Sequence, residues 1–219
     1  VSLFQQLTDK PWVTNQGTVV TLPGWSRSTQ PPARIALRMF LAVVGVLFML
    51  LIIAYGDRMV YPDWRPTPTP ALLWTNTSFL ILASVALQWA KFSVRRDHID
   101  AMRFGLLAAG AFSVLFLAGQ ILAWRQLHAM EFFDITNPAI AFFYLATGLH
   151  GLHIVGGLVA WVRTASRVWG EFDRERIRRN VELCTTYWHF LLGVWLVLFG
   201  LLFSGDNLNI VLKLCGLRQ

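Results

Sequence analysis

Two histidines three residues apart, His150 and His153, and a third that follows an acid and two aromatics, Glu182 then Tyr187, Trp188 and His189, could do chemistry by type and spacing. Imidazole ligates metals and haem, and it donates or accepts hydrogen bonds. The i, i+3 spacing puts His150 and His153 on one side of a helix. Three chemistries compete for them. One is hydrogen bonding to neighbouring helices or lipid head groups, each such contact worth about 0.6 kcal/mol inside a membrane. Another is a bis-histidine haem, which would make the chain a b-type cytochrome, an electron carrier. The last is a metal site, which would want further carboxylates or histidines close by. The apolar stretches around these residues hold no Asp or Glu except Glu182 at a boundary. No catalytic residue and no metal ligand is therefore assigned.

The elements that must position these groups follow from hydropathy. The chain has 219 residues, 55% hydrophobic and 14% charged, where a water-soluble domain carries about a quarter charged. Five stretches approach or exceed the roughly 20 apolar residues that cross a hydrocarbon core: 35–55, 71–90, 104–124, 138–162 and 183–203. Each is predicted helical, because lipid offers no partner to an unpaired backbone group. The fold class is all-α, a polytopic membrane protein of five transmembrane helices. An irregular tail, 1–33, precedes the membrane domain, 34–204, and a second tail, 205–219, follows it. The first tail has no charged start and apolar run of the signal-peptide kind, so it is expected to stay on the side where it was made.

Basic residues set the orientation. Fourteen of the 19 Lys and Arg lie in the first tail or its edge and in the second and fourth connections. These face the cytoplasm, and the C-terminus faces the periplasm. Trp74, Trp89, Trp124 and Trp161 lie near span ends, as an interfacial belt requires. The fourth connection, Arg163 to Glu182, mixes Arg with acids at helical spacings and reads as a solvated helical extension. The net charge of +7 is spread over short connections rather than one solvated face, which argues against a nucleic-acid partner. Cys184 and Cys215 fall near opposite membrane faces and cannot pair.

Within the spans, Asn76, Gln88, Ser113 and Gln120 are too sparse for a proton relay. A packing module remains. Thr147, Gly148, Gly151, Gly156 and Gly157 in the fourth span supply the small side chains that let helices approach closely, and Gly105, Gly110 and Gly119 do so in the third. His153 and His189 both fall in the inner half of their spans, and they could meet if those helices are neighbours.

The segment Thr147-Gly-Leu-His-Gly-Leu-His153, followed by Gly156 and Gly157, resembles the Thr-Gly-x-His-Gly-x-His signature of haem-copper oxidase subunit III. Glu182 and Tyr187-Trp-His-Phe190 resemble the signature of that family's last helix, and Asn76-Thr77 with Gln88-Trp89-Ala90 resembles an earlier one. The resemblance runs from about Arg34 to Ser204. It implies a non-catalytic subunit III of a respiratory terminal oxidase, of the short five-helix bacterial form, in the inner (cell) membrane. Such a subunit lies directly against subunit I, with subunit II also in the complex. It stabilises the catalytic subunit and supports proton uptake during oxygen reduction. No cofactor is expected in this chain; haem and copper would sit on partner subunits, and phospholipid is a candidate ligand. His150, His153, Glu182, Trp188 and His189 are expected to form a mutually satisfying structural polar cluster near lipid. Two departures stand out. Leu41-Ala-Val-Val-Gly45 lacks the acid that family members often carry there, and Leu191-Leu-Gly-Val-Trp195 lacks an aspartate. The second would mark either a divergent oxidase branch or the relative associated with nitric oxide reductase.

Overall fold

The computed structural model describes residues 32–61, 64, 71–129, 138–170 and 174–203. They form five helices: α1 Pro32–Arg58, α2 Leu72–Arg95, α3 Ile99–Ala129, α4 Pro138–Gly170 and α5 Arg174–Phe203. All five are long and apolar enough to cross a membrane. Each contains or closely matches one predicted span, and most overrun it, because helical hydrogen bonding need not stop where the hydrocarbon does. The fourth connection is accordingly helical as far as Gly170 and again from Arg174. Pro32 opens α1, so the last two residues of the expected 1–33 tail are helical. Proline suits a first turn, whose N–H would be unpaired anyway. The remainder of that tail, the 205–219 tail and Cys215 lie outside the described residues. Cys184 is a buried free thiol.

A tight turn joins α2 to α3. Arg96 caps α2 by donating its backbone N–H to Phe92 and Ser93. Asp97 then adopts φ 59°, and the His98 N–H reaches back to the Ser93 carbonyl at 3.0 Å. This is the left-handed ending that closes many helices. Aspartate tolerates it better than most non-glycine residues.

Helix α2 packs against α3 and α5, and α4 packs against the same two, so these four helices form a closed ring. The core inside it is built from Leu80, Leu87, Leu106, Phe116, Ile154, Trp188, Leu191 and Trp195, all fully buried. Helix α1 is peripheral: only Val44, Phe48 and Tyr55 are buried on it. Val44 and Phe48 meet Ala146 of α4 and Leu198 of α5.

Glycines set how closely the ring closes. A β-carbon at Gly105 of α3 would stand 2.9 Å from the Ala86 carbonyl oxygen of α2, and one at Gly157 of α4 would stand 2.6 Å from the Tyr187 ring of α5. Gly110 leaves room for the Trp161 indole and Gly119 for the Asn76 amide. Gly148 and Gly151 have only ordinary contacts, and Gly156 faces open space. Of the small residues expected to matter in α4, Gly157 is thus the one that close packing requires. Gly105→Ala should destabilise the bundle by about 1–3 kcal/mol, since backbone rather than a flexible side chain must yield. Gly156→Ala should be nearly neutral, and detergent unfolding of the two variants checks the difference.

Candidate functional site

Most polar groups inside the spans are paired on their own helix or across helices, with indoles as the commonest cross-helix donors. Trp188 and Trp195 lie seven residues apart on α5 and point into the ring. Trp188 Nε1 donates to Ser113 Oγ of α3 at 2.8 Å, and Trp195 Nε1 donates to Thr77 Oγ1 of α2 at 2.9 Å. Each hydroxyl spends its own proton on the carbonyl four residues back, Ala109 for Ser113 and Leu73 for Thr77. It is thereby left as an acceptor, which is what an indole N–H requires. Trp124 Nε1 of α3 donates to Thr147 Oγ1 of α4 at 3.1 Å, and Trp161 Nε1 of α4 donates to the Leu106 carbonyl of α3 at 3.0 Å. Trp124 and Trp161, expected in an interfacial belt, therefore turn inward to join helices, whereas Trp74 and Trp89 are exposed. The buried Asn76 amide donates to Gln120 Oε1 at 3.1 Å.

The three span histidines differ sharply in surroundings. His150 is fully buried, and neither ring nitrogen has a hydrogen-bond partner. Rings enclose it: Trp195 at 5.1 Å, Phe116 at 5.9 Å and Phe48 at 6.2 Å between centroids. His153 is half-buried, with Nδ1 at 2.7 Å from the Leu149 carbonyl and its ring 5.5 Å from that of Phe48. His189 is exposed, its Nδ1 within 2.8 Å of the Thr185 carbonyl and 3.3 Å of Ser84 Oγ on α2.

The expected mutual cluster therefore does not form. No hydrogen bond joins any two of His150, His153, Trp188 and His189; each is satisfied elsewhere or enclosed by rings. Although α4 and α5 are neighbours, His153 and His189 do not meet. His189 turns toward α2, while the residue of α5 that reaches His153 is Tyr187, whose hydroxyl donates to its backbone carbonyl at 2.8 Å. Glu182 is half-buried and accepts from Arg95 of α2 at 2.9 Å, with Arg178 at 3.6 Å. It ties α5 to α2 rather than to the histidines. Among the described residues, no three His, Cys, Asp or Glu side chains converge as a metal ion would need.

A cleft of about 760 Å³ opens between α1, α4 and α5. Its walls are apolar, from Leu37, Phe40, Leu152, Val155 and Leu183; His153 lines it, and Arg163, Arg167 and Asn180 supply cationic and amide groups. Gly156 and Gly157 also line it. The basic residues of this cleft were read in the sequence only as part of a charged connection. Their spacing, four residues apart on the continuation of the His153 helix, carried the signal.

If the indole–hydroxyl pairs hold the ring, Trp188→Phe and Ser113→Ala should each weaken it and together weaken it less than additively. A double-mutant cycle in detergent should return a coupling of about 0.6 kcal/mol, with 1.7 as the ceiling known for such bonds in membranes. A coupling of zero would mean that the two groups do not sense each other.

Comparison with known proteins gives these motifs a home. The family model described as cytochrome c oxidase subunit III matches residues 34–204. A cytochrome c oxidase subunit 3 of Synechocystis sp. is 34% identical over 174 residues, covering 75% of this chain and 72% of that protein. The Thermostichus vulcanus protein of the same name is 29% identical over 199 residues, covering 87% and 96% respectively. A probable cytochrome c oxidase subunit 3 of Mycobacterium bovis is 30% identical over 145 residues, covering 64% of this chain and 71% of that protein. The matched region takes in the whole ring, the buried His150 and the Trp188–Ser113 and Trp195–Thr77 pairs alike. This multi-pass membrane chain belongs to the cytochrome c oxidase subunit III family, and is a subunit of a terminal oxidase complex.

Proposed function

We propose that the chain is the non-catalytic subunit III of a bacterial haem-copper oxidase, lying in the cell membrane with its N-terminus cytoplasmic and its C-terminus periplasmic. It lies directly against subunit I, within a complex that also holds subunit II, and it stabilises the catalytic subunit and supports its proton uptake. Haem and copper sit on the partners, which carry the oxygen chemistry. The observation that carries this reading is how the span imidazoles are used. One is enclosed by three aromatic rings, one is bonded to its own helix, and one is bonded to its helix and to α2. They serve packing.

The cleft supports a lipid role for the same subunit. Its apolar walls suit acyl chains, and Arg163 and Arg167 suit the phosphate of a head group. The orientation rests on the basic residues, since Arg163, Arg167, Arg174 and Arg178 cluster at the end of the bundle where α2 meets α3 and α4 approaches α5.

Two measurements test the proposal. Extracted in mild detergent, the chain should co-purify with a haem- and copper-bearing catalytic subunit, and after separation it should itself be colourless. A haem band in the isolated chain would overturn the reading, as would stable assembly with no oxidase-type partner. In the intact complex, His153→Ala should hasten inactivation during turnover while leaving the haem spectrum unchanged.

A further inference from the structure

A second cavity, distinct from the α1–α4–α5 cleft, lies where the α2–α3 turn meets the facing ends of α4 and α5. It measures about 690 Å³. Among the described residues, four guanidinium groups line it, Arg95, Arg103, Arg174 and Arg178, against two carboxylates, Asp97 and Glu175. The remaining wall is apolar, with Met102, Val168 and Ile177 among its members.

The cations are held in place, and among the described residues they are not all compensated. Arg174 pairs with Asp97 at 2.9 Å. Arg95 and Arg178 share a single carboxylate, Glu182, at 2.9 and 3.6 Å, so two positive charges divide one negative. Among the described residues, Arg103 has the weakest partner, the fully exposed Asp100 at 3.8 Å. Its Nε is buried without a hydrogen-bond partner, while the Trp169 indole lies under the guanidinium at 5.8 Å. A buried donor left unpaired is costly, and an incoming acceptor would recover that cost. The 30-residue helix α5 also begins at this cavity, and the partial positive charge of its first turn adds to the potential.

We infer that this cavity binds a phosphate-bearing anion, with Arg103 as its central ligand and Arg174 and Arg178 completing the shell. Guanidinium forks match phosphate oxygens in geometry as well as charge. The apolar wall accommodates whatever the phosphate is attached to. Two sources share this chemistry, the head group of an anionic phospholipid and a soluble phosphate. The inference goes beyond the subunit III reading and does not require it: it concerns this chain's own residues, whatever catalytic partner the complex holds.

The test is hydrogen–deuterium exchange on the full chain in its complex, in mild detergent, with three probes: dioleoylphosphatidylglycerol, dioleoylphosphatidylcholine and inorganic phosphate. Phosphatidylglycerol should slow exchange in peptides covering Asp97–Arg103 and Arg174–Arg178, and phosphatidylcholine should do so much less. Arg103→Gln should weaken that protection about tenfold in probe concentration, as loss of one charge-assisted hydrogen bond implies. Should Arg103→Gln fail to assemble, Arg174→Gln reads the same site from α5. Arg167→Gln, in the other cleft, should leave the protection of these two peptides unchanged. Protection by inorganic phosphate with the same Arg103 dependence would support the site and assign it to a soluble ligand. Absence of protection by both anionic probes, or protection indifferent to Arg103 and Arg174, would overturn it.

Discussion

Hydrocarbon offers no hydrogen bond, and the rest of this structure depends on that constraint. A polar side chain admitted to the spans is stabilised by a partner on its own helix or on a neighbour. Here the indoles of α5 find theirs on α2 and α3, through Thr77 and Ser113, and those hydroxyls are free to accept because they donate to their own helices. Trp188 and Trp195 are two turns apart, so the pairs fix α5 against its neighbours in both rotation and height. The glycines permit the approach that these bonds require, and the aromatic surfaces fill the ring between them.

The role of His150 is clearer against that background. Its ring takes no part in the hydrogen-bond scheme and instead stacks among Trp195, Phe116 and Phe48. It therefore links the core of the ring to α1, the helix with the fewest buried side chains. His153, one turn further on, lies against the same Phe48 but also lines the cleft. The two histidines of one motif thus divide between the packed interior and the lipid-accessible side. In the first span Val44 is buried, and a β-carbon at Gly45 would lie 3.8 Å from the Phe190 ring. Apolar contact closes this seam.

Small residues stood out at Gly148, Gly151, Gly156 and Gly157 alike, though only the last packs tightly. Five helices and their approximate extents were legible in the sequence, because span length is a local property. Partner choice was not. That His153 and His189 do not meet depends on how α4 and α5 are rotated, and a shift of one residue turns a helix by 100°. Trp124 and Trp161 illustrate the same limit: position along a span says how deep an indole lies, not whether it faces lipid or a neighbouring carbonyl. Asn76, Ser113 and Gln120 were visible as isolated polar residues, too few for a relay. Their use became evident only when each was found beside its complement.

The sparse seam of α1 has a consequence for biosynthesis. Val44 and Phe48 pack on Ala146 and Leu198, which lie far downstream in the chain and are translated after them. At about 5–20 residues per second, the first of these partners is translated several seconds later and the second later still. Helix α1 must wait in the bilayer, solvated by lipid, until α5 has arrived. Its almost wholly apolar surface is what makes that delay harmless.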